Sequence, residues 1–424
     1  MGVLLLNQEE VRRLLDLDAL LEALEDGFRA ISEGRIDVPP RVAANTESGL
    51  LGVMPGYGRG IGLATKLVSV FPGNHEHGLP SHQALIAVFD PATGSPQALM
   101  DGTYITAIRT AACAAVATRL LARQDATVLA IIGAGVQGGA HLEMFPRVRE
   151  FQEIRVASRS FEHAQRLAAG HPRAQAVSEI RAAVSGADVV ALCTHSGEPV
   201  IELEWLSPGA HVSSVGVAPP NSELPRAVAE AGKLYVESRA AAFRPYPAGC
   251  IELAGMDPEA AAEVGEALSG RRPGRESPEE LTVYKSMGHA IEDVASARLV
   301  FDAARRELQE ELGIDPALSE HAGTLDDYVT RSGYVITPVV LLLDRVTRLR
   351  PNPDEVAAAY RVPLHLLHTP LPGSVDTGPT VRFRLLGRVI NPPTAAILHQ
   401  LSEVIEHGRA TRVAHFAQPR FTWS

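Results

Sequence analysis

The feature that most constrains the fold is an apolar run that leads directly into a glycine-rich turn. Residues Thr127–Ile132 read TVLAII, and Gly133-Ala-Gly135-Val-Gln-Gly138 follows and opens a helical stretch. A strand that is apolar on both faces is typical of a parallel sheet covered by helices. GxGxxG alone is weak evidence, but between a strand and a helix it predicts a dinucleotide site, with a purely structural turn as the alternative. Gly133 would allow the tight turn, Gly135 the approach of a pyrophosphate, and Gly138 close helix packing.

The end of the second strand in such a unit faces the 2′ position of the cofactor ribose. Here it reads Ala157-Ser158-Arg159-Ser160, without the carboxylate that would bind a ribose diol. An arginine between two hydroxyl groups suits a 2′-phosphate. The sequence therefore favours NADP(H) over NAD(H), and the alternative is that Arg159 is an ordinary surface arginine.

Strands alternate with helices after Ala126, which predicts a doubly wound parallel sheet. The first 120 residues are instead typical of an α+β unit with a mostly antiparallel sheet, and a long helix is predicted over 283–312. The predicted strands are Leu50–Met54, Gly62–Phe71, Gln83–Phe89, Gln97–Met100 (joined to the previous strand by the turn Asp90–Gly94), Ile154–Ala157, Asp188–Cys193, His211–Val215 and Leu234–Glu237. The other predicted helices are Asn7–Glu33, Thr103–Arg123, Ala140–Glu150 and Phe161–Ala169.

The net charge and the cysteine content argue against several classes of protein. The 39 Lys and Arg residues against 50 Asp and Glu residues give a net charge of −11, whereas nucleic-acid-binding proteins carry a concentrated basic surface. The three cysteines are widely spaced and form neither a disulfide framework nor a zinc motif. The sequence lacks a signal peptide and any apolar run near the about 20 residues that span a bilayer. We therefore expect a cytoplasmic protein without nucleic-acid or membrane partners.

Three cations lie in unusually apolar or constrained surroundings. Lys66 is inside the apolar strand GLATKLVSVF, Arg109 is inside an alanine-rich helix, and Arg41 follows Pro-Pro. A buried ammonium needs an anionic partner or a lowered pKa. Together the three side chains are candidates to bind an α-carboxylate, to which arginine offers bidentate geometry. Salt bridges to some of the 50 acidic residues are the alternative.

Several motifs in this part of the chain resemble those of the ornithine cyclodeaminase/mu-crystallin family. They are MPGY at 54–57, TKLVSVFPGN at 65–74, GLPSHQALIAVFDPATGSPQALMDGTYITAIRTAA at 78–112, GAGVQ at 133–137 and TVYKSMGHAIEDVASA at 282–297. The resemblance covers residues 1 to about 310. It implies a Rossmann NAD(P)-binding domain, a substrate domain built from N- and C-terminal segments, a homodimer, and an imino- or amino-acid substrate.

The resemblance also implies roles for individual residues. Arg41, Lys66 and Arg109 match residues that hold the substrate carboxylate, Lys66 is a candidate proton donor, and Ser81 matches a hydroxyl of the pocket. The residues that match cofactor contacts are Thr110, Gly133, Gly135, Val136, Gln137, Ser158, Arg159, Ser160 and Thr194.

One departure from the family separates its activities. Cyclodeaminases carry an Asp shortly after the glycine that corresponds to Gly216, and here Val217 or Ala218 occupies that place. The PPNSELP sequence that follows is more similar to reductases of cyclic ketimines. We therefore expect an NAD(P)H-dependent oxidoreductase that reduces the C=N bond of a Δ1-pyrroline-2-carboxylate or Δ1-piperideine-2-carboxylate type substrate, or an amino-acid dehydrogenase. Ornithine cyclodeamination and non-enzymatic NADPH binding stay as alternatives.

The last hundred residues resemble a second family. Arg306–Ile314 fits the second half of a Nudix box, REUxEExGU, and the sequence that follows is similar to the C-terminal half of Nudix coenzyme A pyrophosphatases. Glu307, Glu310 and Glu311 would share one helical face and could hold Mg²⁺ against a pyrophosphate. The alternative for these three glutamates is an ordinary solvent-exposed acidic helix face. For the protein as a whole, a Mg²⁺-dependent Nudix coenzyme A pyrophosphatase is a further alternative function. Strand-like Tyr334–Leu343 and the helical stretches Pro353–Tyr360 and Pro392–His407 belong to this segment.

These predictions combine into one organisation. The fold class is α/β: residues 1–122, completed by about 290–312, form an α+β substrate and dimerisation domain. Residues 123–289 form a Rossmann domain with a doubly wound parallel sheet. Residues 303–424 form a partial Nudix-like α+β segment.

The Nudix-like segment lacks the first half of its box, because Glu292 and Arg298 stand where a Gly and a Glu are expected. Mg²⁺ would be a cofactor only if this segment were active. We predict little or no hydrolase activity. Mg²⁺-dependent hydrolysis of coenzyme A by the purified protein, abolished by Glu310→Gln, would contradict this prediction.

Overall fold

The computed structural model consists of two compact units, Leu6–Ala304 and a second unit of Met1–Leu5 with Arg305–Ser424. Both sheets of the predicted substrate and Rossmann domains lie within the unit Leu6–Ala304, and the predicted boundaries at 122 and 289 stay predictions. The structure describes residues 3–219, 221–312, 319–325, 328–329, 335–336, 338–343, 352, 362–367, 370–375, 378–385, 388–409, 411–413 and 415–416.

The first described elements are strand β1 (Leu4–Leu6) and the helices α1 (Gln8–Leu14) and α2 (Leu17–Ser32). The prediction of one helix over 7–33 is wrong, because the side chain of Asp16 accepts hydrogen bonds from the N–H groups of Asp18 and Ala19 and starts a second helix. Leu20, Leu24 and Phe28 bury one face of α2, and Gly34, with φ of +67°, follows its end.

An antiparallel sheet follows, as predicted. Its strands are β2 (Ile36–Asp37), β3 (Val42–Asn45), β4 (Leu50–Gly58), β5 (Gly62–Val70), β6 (His82–Phe89) and β7 (Pro96–Asp101). The order is β7-β6-β5-β4-β2, with β3 also paired to β4. The β6–β7 hairpin is confirmed, with the Asp90 carboxylate accepting from the N–H groups of Ala92 and Thr93. On the buried face, Lys66 lies in register between Met54 and Ile86.

Helix α3 (Thr103–Leu121) follows the hairpin and is the one described helix long and apolar enough to cross a membrane by length and composition. Of its most apolar window, 78% is buried inside the structure, as expected for a core helix. Its run of small residues from Ala111 to Ala117 is completely buried. Arg109 is therefore carried by a helix that is enclosed for most of its length.

The second sheet of this unit is entirely parallel, as predicted for a doubly wound fold. Its strands are β8 (Val128–Ile132), β9 (Glu153–Ala157), β10 (Ala174–Ala176), β11 (Val189–Leu192), β12 (His211–Ser214), β13 (Lys233–Val236), β14 (Ala262–Glu263) and β15 (Thr282–Lys285). The order is β10-β9-β8-β11-β12-β15-β13-β14. Because β9 and β11 lie on opposite sides of β8, the connections diverge there and leave a crevice at the carboxyl ends of the strands.

Helices cover this sheet and join its strands. They are α4 (Val136–Met144), α5 (Phe161–Ala168), α6 (Ile180–Val184), α7 (Arg226–Ala231), α8 (Arg239–Ala242) and α9 (Val264–Leu268). Short 3₁₀ helices occur at Pro72–His77, Phe145–Arg147, Leu203–Trp205, Ile251–Leu253, Pro258–Ala260 and Leu364–Leu367. The predicted helix over 140–150 therefore begins and ends earlier than expected.

The long helix predicted from residue 283 begins later. Thr282–Lys285 is strand β15, buried between β12 and β13, and helix α10 (Ala290–Leu312) starts after Gly288, whose φ is +74°. The β-branched and aromatic Val283 and Tyr284 suit a central strand. This correction matters because residues 286–289 connect the two elements at the candidate site.

The unit Arg305–Ser424 has a small hydrophobic core of its own, formed among others by Phe383, Leu385 and Ala395. Its described elements are β16 (Ser319–Thr324), β17 (Tyr328–Val329), β18 (Val335–Ile336), β19 (Val339–Leu343), β20 (Leu371–Val375), β21 (Gly378–Leu385), β22 (Arg388–Ile390) and α11 (Thr394–His407). β16 pairs with β19, β17 with β18, and β21 with β20 and β22, all antiparallel. The helix predicted over 392–407 is confirmed from Thr394, whereas the one over 353–360 lies outside the described residues.

Candidate active site

The glycine-rich turn lies at the carboxyl end of β8. Gly133 has φ of +115°, and a Cβ there would come within 2.6 Å of the Cys193 carbonyl oxygen. A Cβ at Gly138 would overlap the carbonyl oxygen of Gly133, so the packing of α4 on the turn requires a glycine. Gly135 differs, because nothing lies within 4 Å of the Cβ it could carry.

The N-terminus of α4 is open toward this space. Its cap residue is Gly135, which has no side chain to occupy the helix end, and Val136 is 72% exposed. Backbone N–H groups and the positive end of the helix dipole are therefore accessible to an anionic ligand, which can approach the backbone closely. These residues fit the pyrophosphate of a dinucleotide.

Further predicted cofactor residues lie at the ends of neighbouring strands. Ser158, Arg159 and Ser160 follow β9, and Ser160 caps α5 by accepting from the N–H of His163. Arg159 is exposed, and within the described ranges it has neither an ion pair nor a hydrogen bond. Thr194 follows β11 and donates from its N–H and its hydroxyl to Glu223, at 2.6 and 2.7 Å.

Gln137 and Thr110 lie where α4 packs against α3. Gln137 donates from Nε2 to the carbonyl of Ala107 on α3 at 3.3 Å. The hydroxyl of Thr110 donates to the carbonyl of Thr106 at 2.7 Å. Gln137 therefore links the start of α4 to the helix that carries Arg109, whereas the hydrogen bond of Thr110 stays within α3.

The two most buried of the candidate cations share one carboxylate. Lys66 on β5 is 2% exposed, and its Nζ lies 2.8 Å from Oδ2 and 3.0 Å from Oδ1 of Asp293 in the first turn of α10. Arg109 donates from Nε to the same carboxylate at 3.1 Å and from Nη1 to Glu292 at 2.8 Å. Gly288 lies against this guanidinium, since a Cβ there would be 2.9 Å from Nη1 of Arg109.

Arg41 is held by the backbone of the same segment. Its Nη2 donates to the carbonyl oxygens of Met287 and Gly288, at 3.1 and 2.6 Å. Glu237, at the end of β13, accepts from the Ser286 hydroxyl and from the N–H groups of Met287 and Gly288. In the segment between β15 and α10, N–H groups therefore donate to Glu237, and carbonyl oxygens accept from Arg41.

Burial and charge shift the pKa values of these groups in different directions. Desolvation lowers the pKa of Lys66 to about 8 in spite of the nearby Asp293. Desolvation raises the pKa of Glu292 to about 8. Burial opposes ionisation of Asp293 and Arg109 as well, but their opposite charges outweigh it, so the pKa of Asp293 is lowered and that of Arg109 is raised. At neutral pH the pair Lys66–Asp293 is therefore ionised.

Ser81 is not among the groups that contact these cations in the part of the chain that is described. Its hydroxyl lies 3.2 Å from Nδ1 of His82 at the start of β6. Burial, followed by the nearby His195 and Lys66, lowers the pKa of His82. His82 is nevertheless exposed and pairs in register with Val70, four residues along β5 from Lys66, and sequence reasoning did not select it.

The loop after β12 carries one carboxyl group whose contacts define its role. Glu223 accepts from both groups of Thr194, from the Ser214 hydroxyl at 2.9 Å and from the Gly216 N–H at 2.6 Å. Both of its oxygens are thereby engaged in holding the ends of β11 and β12 together. Val217 or Ala218 stands where the family resemblance predicts the Asp of cyclodeaminases.

The predicted metal residues are not assembled into a site within the described ranges. Glu307 and Glu310 lie on α10, with Glu310 exposed, and the side chain of Glu311 lies outside the described residues. Across those ranges there is no group of three His, Cys, Asp or Glu side chains that could hold a metal ion. The metal site stays a prediction.

Sequence reasoning selected the cations and missed their anionic partners. Glu292 and Asp293 are in the motif at 282–297, but nothing local distinguishes them from other acidic residues at the start of a helix. Glu237 gives even less signal at the end of its strand. The one available clue was that a lysine inside an apolar strand requires a carboxylate from elsewhere in the chain.

Comparisons with known proteins agree with this geometry. The sequence matches the model of the ornithine cyclodeaminase/mu-crystallin family over residues 2–307. It is 40% identical to ketimine reductase mu-crystallin of Mus musculus over 307 residues, which cover 70% of this chain and 96% of that protein.

Two solved structures extend the similarity to the fold. Thermococcus litoralis Δ1-pyrroline-2-carboxylate reductase, in complex with NADH and L-proline, has a TM-score of 0.68 and 34% identity, and the match covers 72% of this chain and 98% of that one. An archaeal alanine dehydrogenase dimer with bound NAD has a TM-score of 0.67 and 31% identity, covering 72% and 97%.

The glycines of the turn provide a matched pair of variants. Gly138→Ala places a methyl group on the Gly133 carbonyl, so we expect it to destabilise the fold by about 1–3 kcal/mol. Gly135→Ala adds a methyl in open space, so the melting temperature should stay unchanged while NADPH binding weakens at least about tenfold. Thermal unfolding and fluorescence titration with NADPH measure the two effects. Equal loss of stability in both variants would contradict this assignment.

Proposed function

The chain belongs to the ornithine cyclodeaminase/mu-crystallin family, and from that premise we propose that it reduces the C=N bond of a small, carboxylate-bearing imino acid with NAD(P)H. NAD(P)-dependent oxidoreduction is the activity of its relatives, which include ketimine and Δ1-pyrroline-2-carboxylate reductases. The observation that carries the proposal is the gathering of Arg41, Lys66 and Arg109 on one segment, residues 287–293. An amino-acid dehydrogenase activity would use the same residues.

The three cations suit a planar imino acid. Arg41 and Arg109 are fixed by their partners, so their remaining N–H donors can bind the substrate carboxylate in a set orientation. Neither arginine depends on the other for its position, because one is held by backbone carbonyls and the other by carboxyl groups. This arrangement orients the C=N bond before any bond changes.

Lys66 is suited to supply or hold a proton. An ammonium has three N–H donors, and Asp293 engages it from one side, which leaves donors for the substrate nitrogen or carboxylate. With a pKa of about 8 it is protonated at neutral pH, yet close enough to neutrality for proton transfer. The reduced nicotinamide supplies the hydride when it is bound, and the protein fixes the geometry.

Cyclodeamination is the less suitable activity for this site. It requires a carboxylate that can engage the substrate amine, and the described part of the loop after Gly216 places Val217 and Ala218 there. Glu223 cannot replace it, because its oxygens already accept four hydrogen bonds within the loop. We therefore favour simple hydride transfer.

We further propose that NADP(H) is preferred over NAD(H). The support is Arg159, which is exposed beyond β9 between two serine hydroxyls, in the place that faces the ribose 2′ position. No acidic residue in the stretch 157–160 opposes a 2′-phosphate.

The outer face of the antiparallel sheet supports a homodimer. Val53, Leu67 and Leu85 lie side by side in register on the face opposite Lys66, and Leu51 and Leu85 are 46% and 47% exposed. An apolar sheet face of this kind is typical of a protein interface, and the alanine dehydrogenase neighbour is described as a dimer. We propose that a second copy of this chain covers it.

The first test of the activity is NADPH oxidation with Δ1-pyrroline-2-carboxylate or Δ1-piperideine-2-carboxylate, with NADH in parallel. We expect turnover, with NADPH preferred. Lys66→Ala or Arg109→Ala should lower kcat/KM about 100-fold or more, since each removes a desolvated partner of the substrate carboxylate. Arg226→Ala, which removes an exposed arginine paired with Glu230, is the matched control and should keep wild-type activity.

Other results would select the alternatives. Faster turnover with NADH would contradict the assignment of Arg159. Ammonia and proline released from ornithine without net use of NADPH would indicate a cyclodeaminase. Tight NADPH binding without turnover of any imino acid would indicate a binding protein.

The dimer is tested by sedimentation velocity. Leu85→Glu places a charge in the middle of the exposed apolar face and should convert the dimer to monomers. Phe161→Glu, at a 42% exposed position on α5, should leave the dimer intact. A wild-type monomer at micromolar concentration would rule out the proposed interface.

A further inference from the structure

Two adjacent carboxyl groups at the start of α10 contact the same arginine but have different surroundings. Glu292 and Asp293 are each 1% exposed. Asp293 contacts two cations, with both oxygens within 3.0 Å of Lys66 Nζ and one of them 3.1 Å from Arg109 Nε. Glu292 contacts one, through Oε2, and its buried Oε1 has no hydrogen-bond partner.

This difference separates their charges. A buried carboxylate is stable when a cation lies against each oxygen, as at Asp293, whose Oδ2 lies 2.8 Å from the Lys66 ammonium although it has no hydrogen-bond partner among the described residues. A charged carboxylate is unfavourable in the protein interior when one of its oxygens has neither a hydrogen-bond partner nor a cation against it, and protonation removes the free-energy cost of burying that charge. The contacts therefore suit an ionised Asp293 and an uncharged Glu292.

The charge of the site follows from this assignment. Arg41, Lys66 and Arg109 are three cations, and Asp293 and Glu237 are two carboxylates, so one unit of positive charge is left for an incoming carboxylate. If Glu292 were ionised as well, the cations would be balanced and a substrate carboxylate would enter a neutral site. An uncharged Glu292 thus gives the site its attraction for an anion.

We propose that Asp293 is the positioning residue of this site, which holds Lys66 protonated and fixes Lys66 and Arg109 against each other, while Glu292 is an uncharged hydrogen-bond acceptor for Arg109. The proposal deepens the function proposed above and rests on it. Asp293 acts through the two cations and does not itself need to contact substrate.

The groups that surround this pair come from every element packed against it. Desolvation lowers the pKa of His289 to about 4, so it is neutral near pH 7. The charged or titratable neighbours are Arg41, Lys66, His82, Arg109, Cys113, Glu237, Tyr284, His289 and Glu292.

The proposal predicts a specific pH dependence. If the protonated ammonium is the active form, activity is present below the pKa of Lys66 and is lost as the pH rises through about 8. The Asp293 carboxylate favours the ammonium. Removing that charge lowers the pKa of Lys66 further, so the alkaline limb of the profile moves to lower pH.

The experiment compares Asp293→Asn with Glu292→Gln in the full-length protein, measuring kcat/KM for NADPH oxidation from pH 6 to 10. Asp293→Asn should move the alkaline limb down by about one pH unit or more and lower kcat/KM at pH 7.5 at least about tenfold. Glu292→Gln replaces one uncharged acceptor by another at neutral pH. Because the pKa of Glu292 is itself about 8, this variant should keep an alkaline limb that does not move to lower pH. A limb that is unmoved in Asp293→Asn, or is lost in Glu292→Gln, overturns the proposal.

A second measurement covers the case in which Asp293→Asn does not fold. The double variant Lys66→Met/Asp293→Asn removes both charges, so it should fold even if Asp293→Asn alone does not. Where both single variants fold, its loss of melting temperature should be smaller than the sum of their two losses. Additive effects would overturn the pairing. An inactive wild-type protein would refute the proposed function alone, because the unfolding measurements do not depend on turnover.

Discussion

The burial of the Lys66 ammonium is the constraint on which the rest of the site depends. An unpaired cation on the inner face of a sheet would be strongly unfavourable, and the carboxylate that neutralises it comes from Asp293, 227 positions further along the chain. The antiparallel sheet therefore needs the start of α10 to complete it. This ion pair joins the antiparallel sheet to a helix from the far end of the unit Leu6–Ala304.

The same segment serves all three cations. Carbonyls of Met287 and Gly288 hold Arg41, and the two carboxyl groups that follow hold Arg109 and Lys66. Glu237 fixes the segment from the other side through its N–H groups. A single connection between a central strand and a helix thus sets the spacing of the three cations.

The parallel sheet reaches the same region through a second buried network. Lys285, at the end of β15, is completely buried, with Nζ 2.7 Å from Glu252 and 2.7 Å from the Gly216 carbonyl oxygen. Glu223 joins Gly216 to Thr194. The strand ends that border the crevice and the segment that holds the three cations are therefore continuous through β15.

Local pattern was enough for the longer strands and helices and for the glycine-rich turn. An apolar strand, three glycines with fixed spacing and a following helix specify the crevice, because each has a backbone reason that is written in neighbouring residues. The sequence also marked Lys66, Arg41 and Arg109, since a cation in apolar or constrained surroundings is itself a local signal. It misjudged the break at Asp16 and the strand β15, where a cap and burial overrode helical periodicity. Only the tertiary structure decided which acids pair with the cations, because Asp293, Glu292 and Glu237 gain their meaning from contacts across more than 180 residues or from the end of a remote strand, and one acidic side chain cannot be told from another until the fold brings a charge beside it.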